Sequence, residues 1–328
     1  MPERAVALYR AMARIRAFEN AAEEASRGGV SAFGAVLDDS VKVRGPLHLS
    51  TGQEAVAAGV CANLEREDLI TSTHRGHGHT LAKGASMERM MCELFGKATG
   101  FNGGKGGSMH IADFSVGMLG ANGVVAAGIP IAVGAAHALK IQGKKSVVAC
   151  FFGDGAINRG PFLEGLNWAT VHALPILFVC EDNRWSATTA TDAMTAGEGA
   201  LARARALGIE GVEVDGNDVL AVDDAARSLL GEIRKNSGPK LLHAITYRVK
   251  GHVSVDPATY RNGEEVARAI ENDPLALLAL PSDEKERIRK EAEFEVRKAL
   301  EAAAAAAWPQ QREAYTDIQD TGAGRWRS

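Results

Sequence analysis

Asp154 stands between two glycines and Asn183 follows 29 positions later, each at the end of an apolar run. A carboxylate and a carboxamide both present hard oxygen of the kind magnesium takes. Glycine on either side of Asp154 permits a tight turn and a close approach of backbone to a ligand. The pair can hold one divalent cation if the chain brings the two ends together. Gly153-Asp154-Gly155 by itself reads more simply as a turn after a strand; the spacing to Asn183 is what favours the metal.

Three further stretches carry polar chemistry. Thr73-His74-Arg75-Gly76-His77-Gly78-His79 follows a short apolar run. Its histidines could take a transition metal, but alternate positions on an irregular turn make a poor tetrahedral set, and no cysteine is near. Arg75 is the better candidate, because a guanidinium in a glycine-rich turn past a strand end presents a planar fork of donors to phosphate. The stretch from Gly100 to His110 holds five glycines between positions 100 and 107 and reads as a flexible surface loop. It is not a Walker loop, since Gly106 follows Gly104-Lys105. His252 lies in a loop just past a strand end, a place that suits chemistry as well as it suits a solvated side chain.

The elements that must position these groups follow from periodicity. Residues 147–152 and 174–180 are continuous apolar runs rich in β-branched and aromatic side chains, which predicts strands buried on both faces of a parallel sheet. Residues 160–172 have the composition of the crossover helix between them, and ligands in such sheets bind beyond the carboxyl ends of the strands. Residues 69–72, 211–214 and 239–247 predict three more strands. Val6, Tyr9, Met12, Ile15, Phe18 and Ala22 mark one face of a helix over 3–26 that Gly28-Gly29 should end. Further helices are expected with Gln53 and Glu54 in a first turn and an end near Leu64, over 126–142, over 198–207, from an Asp218 cap to Ile233, and from a Ser282 cap along Ile288, Ala292, Val296 and Leu300. The fold class is α/β, a mostly parallel sheet flanked by helices with N- and C-terminal helical extensions. No repeat or linker divides the chain, so one domain is expected over 1–328, with a C-terminal helix and tail from 282.

The Gly-Asp-Gly of 153–155 with Asn183 resembles the thiamine diphosphate fingerprint. Ser72 to His79, followed by Ala82-Lys83-Gly84, resembles the alpha subunits of the thiamine-dependent first component of 2-oxo acid and acetoin dehydrogenase complexes. The resemblance runs from about residue 5 to 318. It takes in Gly-Lys-Gly-Gly-Ser-Met-His at 104–110, the succession Tyr247-Arg248, Gly251-His252, Asp256-Pro257 and Tyr260-Arg261, and the stretch from Ala314 to Ile318.

That resemblance implies a thiamine diphosphate-binding fold in which Asp154, Asn183 and the main-chain carbonyl of Trp185 hold Mg2+ on the diphosphate. It implies that His74, Arg75, Gly153, Gly155, Ala156 and His252 bind the cofactor, and that the Gly123 and Val125 backbones meet its aminopyrimidine. His252 and His110 become the candidates for substrate contact and proton transfer. The implied reaction cleaves acetoin or a 2-oxo acid such as pyruvate and passes the acyl unit to a lipoyl group on an acyltransferase. The family's catalytic glutamate belongs to a separate beta subunit, which implies an α2β2 assembly with a shared active site.

Four positions depart from the family's pattern. Asp182 stands where Asn is usual, adding a carboxylate beside the site. His74 replaces the Tyr of pyruvate-specific relatives, which leans toward the acetoin branch. Lys250 replaces His or Arg, and Val253 occupies the place of a regulatory phosphoserine, so no phosphorylation switch of that kind is expected.

Composition bounds the alternatives. The chain has 328 residues, 46% of them hydrophobic, and a net charge of −4 without a basic run, which gives no footprint for nucleic acid. Four well-separated cysteines without Cys-x-x-Cys favour a reducing compartment over a zinc site or disulfide framework. No apolar stretch is long enough to span a membrane and the N-terminus lacks an apolar signal region, so a soluble cytoplasmic protein is expected. A nicotinamide-binding reading fails because Gly153-Asp154-Gly155-Ala156-Ile157-Asn158 lacks the third glycine of that motif. Two alternatives stay open: a carboligase working with a beta-like partner but no lipoyl complex, and a non-catalytic cofactor-binding subunit.

Overall fold

A computed structural model of the chain describes residues 2–27, 42, 43, 45–235 and 238–317. In chain order its strands are β1 (Leu69–Thr71), β2 (Met118–Gly120), β3 (Val148–Gly153), β4 (Ile176–Asp182), β5 (Trp185–Ser186), β6 (Thr189–Ala190), β7 (Gly211–Asp215) and β8 (Lys240–Ile245). Six of them form one sheet in the order β2-β1-β3-β4-β8-β7, with every neighbouring pair parallel, while β5 and β6 make a separate antiparallel hairpin. The helices are α1 (Pro2–Ala25), α2 (Glu54–Cys61), α3 (His77–Ala82), α4 (Met87–Leu94), α5 (Gly128–Ile141), α6 (Gly160–Val171), α7 (Gly199–Ala206), α8 (Val219–Arg234), α9 (Gly263–Glu271), α10 (Pro274–Leu277) and α11 (Ser282–Ala305).

The continuous apolar runs are explained by burial on both faces. Val148, Cys150 and Phe152 of β3, with Ile176, Phe178 and Cys180 of β4, pack on Ile129 and Val133 of α5 and Phe162 and Leu166 of α6. The alternate side chains Ala149, Phe151, Leu177 and Val179 face the other layer, where Phe18, Val56, Met90 and Leu229 lie. Each large apolar side chain so enclosed contributes about 1.5–3 kcal/mol relative to exposure. α11 lays Ile288 and Ala292 against Tyr9 and Met12 of α1, and its Val296, Ala299 and Ala303 complete the layer over α4. No helix among the described residues is long and apolar enough to cross a membrane.

Most boundaries fall near expectation, and the differences have local causes. Asp218 does cap α8, accepting from the Leu220 and Ala221 amides at 2.9 and 3.2 Å. α2 begins only after Gln53 and ends at Cys61, earlier than Leu64. Its Glu54 is buried rather than solvated, taking the Gly52 amide at 2.9 Å and Nη2 of Arg16 at 3.0 Å. Ser282 is the first helical residue of α11, with Pro281 in the cap position, so its hydroxyl does not cap. α9 was not expected; it buries none of its residues and starts on the Asn262 side chain, which accepts the Glu264 amide at 2.8 Å. The Gly28-Gly29 stop and Ile318 lie outside the described residues.

β1 leads toward β2 on one side, and the chain then returns to place β3 on its other side. That reversal makes the carboxyl ends of β1 and β3 a topological switch point, where open parallel sheets leave a crevice for ligands.

Candidate active site

A cavity opens at that switch point, and the expected residues gather around it. His74 and Arg75 after β1, Gly123 and Val125 before α5, Gly153, Asp154, Gly155 and Ala156 after β3, Asn183 and Trp185 after β4, and His252 all line it. In-register pairing of Gly153 with Glu181 brings the ends of β3 and β4 side by side, which is why Asp154 and Asn183 line one cavity. Gly155 is required by close approach: a Cβ there would stand 2.3 Å from the Ser186 hydroxyl.

The oxygen ligands are held from behind. Asn183 Nδ2 donates to Gln53 Oε1 at 3.0 Å, and its Oδ1 accepts the Trp185 amide at 3.2 Å. The Trp185 carbonyl accepts a long 3.4 Å bond from Arg248 Nη1. Asp154 accepts the Thr191 hydroxyl and forms no ion pair among the described residues. Burial lifts its carboxyl above the ordinary range, and the charge of Asp182 adds to the rise. A buried carboxylate without a cation, a carboxamide oxygen and a main-chain carbonyl at one cavity fit the hard-oxygen preference of Mg2+.

Two buried guanidiniums line the same cavity. Arg75 donates to the carbonyls of Leu49 at 2.8 Å and His252 at 3.0 Å. Arg248 donates to the Ala187 carbonyl at 2.6 Å and the Tyr260 hydroxyl at 3.1 Å, and its Nε has no partner among the described residues. Neither pairs with a carboxylate among the described residues. Burial and then the charge of Arg248 bring Arg75 down to about 9, and burial lowers Arg248 as well. Gln53 Nε2 and His48 Nδ1 are likewise buried without partners among the described residues. These orphaned donors and paired like charges suit a multiply charged anion, for which charge-assisted bonds are strong.

Three imidazoles complete the wall. His48 lies 4.6 Å from His74 and 4.9 Å from His252, ring centre to ring centre. Burial, followed by the charge of Arg75, lowers His48 to about 3, His74 to about 2 and His252 to about 4, so all three are neutral near pH 7. Their nitrogens lie within 4.8 Å of one another. With Arg75 and Arg248 alongside, the trio favours an anion over a metal cation.

The histidine-rich stretch does not act as one irregular turn. It enters α3, so only His74 reaches the cavity. His77 and His79 are buried behind it; His79 stacks on Phe151 at 3.9 Å and lies 2.8 Å from the Ser72 hydroxyl.

The glycine-rich loop is likewise not free. Glu93 of α4, fully buried, accepts the amides of Asn102 and Gly104 on one oxygen at 2.8 and 2.9 Å, and those of Gly106 and Gly107 on the other at 2.8 and 3.0 Å. This carries Met109 into the cavity wall. His110 is exposed and outside the lining, at the rim: a Cβ on Gly123 would stand 3.6 Å from its ring.

The additional carboxylate, Asp182, turns away from the cavity toward His243, whose Nε2 is 3.2 Å from Oδ2. Burial alone raises its carboxyl, but the His243 bond and Arg184 outweigh that and hold it below the ordinary range. His48, Gln53 and Arg248 are site residues that the spacing of motifs did not reveal. The signals were present: a histidine between Leu47 and Leu49, a glutamine at a helix start, and an arginine just past β8.

Residues 34–315 match a family described as the dehydrogenase E1 component. The alpha subunit of acetoin:2,6-dichlorophenolindophenol oxidoreductase from Bacillus subtilis (strain 168) is 46% identical over 269 residues, covering 82% of this chain and 77% of that one. The protein of the same description from Cupriavidus necator is 40% identical over 326 residues, covering 96% and 94%. The pyruvate dehydrogenase E1 component subunit alpha of Rhizobium meliloti (strain 1021) is 35% identical over 319 residues, covering 94% and 88%.

Proposed function

Because the chain belongs to the dehydrogenase E1 component family, we propose that it is the alpha subunit of a thiamine diphosphate- and Mg2+-dependent enzyme that cleaves acetoin or a 2-oxo acid such as pyruvate. The observation that carries this reading is the cavity at the β1/β3 switch point, lined both by two buried guanidiniums that pair with no carboxylate among the described residues and by Asp154, Asn183 and Trp185, which offer oxygens. Arg75 and Arg248 bind the diphosphate, and those three oxygens would hold its Mg2+. Gly123 and Val125 meet the aminopyrimidine, within one thiamine diphosphate-binding domain to which α11 and the tail are appended.

When bound, thiamine diphosphate supplies a nucleophilic ring carbon and an electron sink. The chain's own part is binding and proton handling. Arg75 Nη2 points at His252 Nδ1 at 3.4 Å and can only donate, so the neutral imidazole carries its proton on Nε2. That N–H steadies negative charge developing on a substrate oxygen, and His48 and His74 keep the same corner free of positive imidazolium. His110, at the rim, meets the substrate as it enters.

The catalytic glutamate comes from a beta subunit, and an exposed apolar face supports the shared site. Val124 (67% exposed) and Val125 line the cavity, and Ile131 of α5 and Leu163, Trp168 and Val171 of α6, two helices that pack together, are exposed as well. Exposed apolar side chains gathered on two packed helices beside a cavity mark a protein interface, and an α2β2 assembly buries them. The acyl unit passes to a lipoyl group on an acyltransferase. Four free, buried cysteines suit a reducing, cytoplasmic setting.

The test is reconstitution with a beta subunit and assay of acetoin- and pyruvate-dependent reduction of an artificial electron acceptor. Turnover that requires both thiamine diphosphate and Mg2+, together with acylation of an added lipoyl domain, is expected. Absence of cofactor-dependent turnover with either substrate would overturn the reading, and dye reduction without lipoyl acylation would overturn its last step.

A further inference from the structure

Behind the cavity, outside its lining, four polar side chains, Ser50, Glu19, His77 and Ser108, form one continuous path. Glu19 of α1 accepts the Ser50 amide at 2.9 Å and the Ser50 hydroxyl at 2.6 Å on Oε1. Its Oε2 is 3.0 Å from His77 Nδ1, and His77 Nε2 is 3.1 Å from the Ser108 hydroxyl. Glu19 and His77 are fully buried. Burial alone would raise the Glu19 carboxyl, but His77 and Ser50 outweigh it and hold it below the ordinary range, so it is ionised. An ionised carboxylate only accepts, which places a proton of His77 on Nδ1, while Nε2 is in hydrogen-bond contact with the Ser108 hydroxyl.

Each end of this path belongs to a different wall. Ser50 lies between the cavity residues His48 and Gln53, His77 is two positions past Arg75, and Ser108 adjoins Met109 and precedes His110. The connectivity is that of nucleophile, base and orienting acid. Attack by Ser108 is nevertheless unsupported, because the neighbouring Gly106 and Gly107 amides are committed to Glu93 and leave no oxyanion site there.

We infer that Glu19, His77 and Ser108 form a positioning relay that locks Met109 and His110 of the glycine-rich loop against the His74-Arg75 wall, and so sets the substrate end of the cavity. This rests on the proposed function, in which the substrate reacts at that end.

The experiment uses the reconstituted αβ enzyme with Ser108→Ala, Ser108→Thr, Glu19→Gln and the Glu19→Gln/Ser108→Ala double variant. It measures thiamine diphosphate Kd by calorimetry and steady-state kcat and KM. Ser108→Ala is expected to lower kcat about tenfold while the cofactor Kd changes less than about twofold. Ser108→Thr, which keeps the hydroxyl, restores most of kcat. In the double variant the losses do not add, because either change already breaks the same path. Wild-type kcat in Ser108→Ala, no recovery in Ser108→Thr, or additive losses in the double variant would each overturn the relay. Failure of the wild-type enzyme to bind thiamine diphosphate would overturn the proposed function along with it, whereas wild-type binding with unaffected variants removes the relay alone.

Discussion

Asn183 Nδ2 donates to Gln53 Oε1 at 3.0 Å, joining the end of β4 to the start of α2 across 130 positions of sequence. That bond turns the Asn183 oxygen toward the Trp185 amide and leaves it a second lone pair for a cation. Gln53→Leu keeps the volume but releases the carboxamide. Its Mg2+ affinity in the presence of thiamine diphosphate should fall about 10–100-fold, as for other residues that orient a metal ligand. Titration of Mg2+ into the thiamine diphosphate-loaded variant checks this, and an unchanged Kd would contradict it.

Asp154 carries a stability penalty in the ligand-free protein. Its folded pKa lies above the unfolded value, so the folded state binds more protons and stability falls as pH rises through that interval. At neutral pH, Asp154→Asn should therefore raise the ligand-free Tm by roughly 2 °C. The same variant should lose the added stabilisation that Mg2+ and thiamine diphosphate give. Thermal melts with and without ligands test both halves.

How much of the site was legible follows from where its parts lie in the chain. Asp154 and Asn183 were readable because each ends an apolar strand and one crossover separates them. Arg248, His48 and Gln53 come from segments whose neighbours in sequence are remote from the motif, and only the sheet order brings them to it. The glycine-rich loop read as flexible because its anchor, Glu93, lies on a helix where nothing local distinguishes it from a solvated acid. Asp182 read as a perturbing charge because its partner, His243, sits on β8, 61 positions away.

Glu93 gives that anchor a measurable worth. Removing a buried carboxylate that accepts four amides should destabilise the protein by about 3 kcal/mol or more. For Glu93→Ala we expect a lower denaturation midpoint and faster tryptic cleavage after Lys105. Wild-type cleavage kinetics would contradict the clamp.

The histidine trio sets an acid limit. His48, His74 and His252 have folded values of about 3, 2 and 4, below their unfolded value of 6.5. Their contribution to stability is complete above about pH 6.5 and is lost as pH falls through 6.5 toward about 4 for His252, 3 for His48 and 2 for His74. His74→Tyr removes one titrating group, so its stability should decline less steeply between pH 6.5 and 4. An identical slope would contradict this.

Arg248 tests the anion side. Arg248→Met removes a buried guanidinium that has no carboxylate partner, and should weaken thiamine diphosphate binding at least tenfold without lowering the ligand-free Tm. Weakened binding with a collapsed Tm would point to a structural role instead.

The most direct test of the central claim is calorimetric titration of thiamine diphosphate with Mg2+ into this chain, first alone and then with a beta subunit. Tight, Mg2+-dependent binding that appears only with the partner is the result expected of a diphosphate site completed at an αβ interface. No binding in either case would contradict the claim that the Arg75, Arg248, Asp154 and Asn183 cavity is a thiamine diphosphate site.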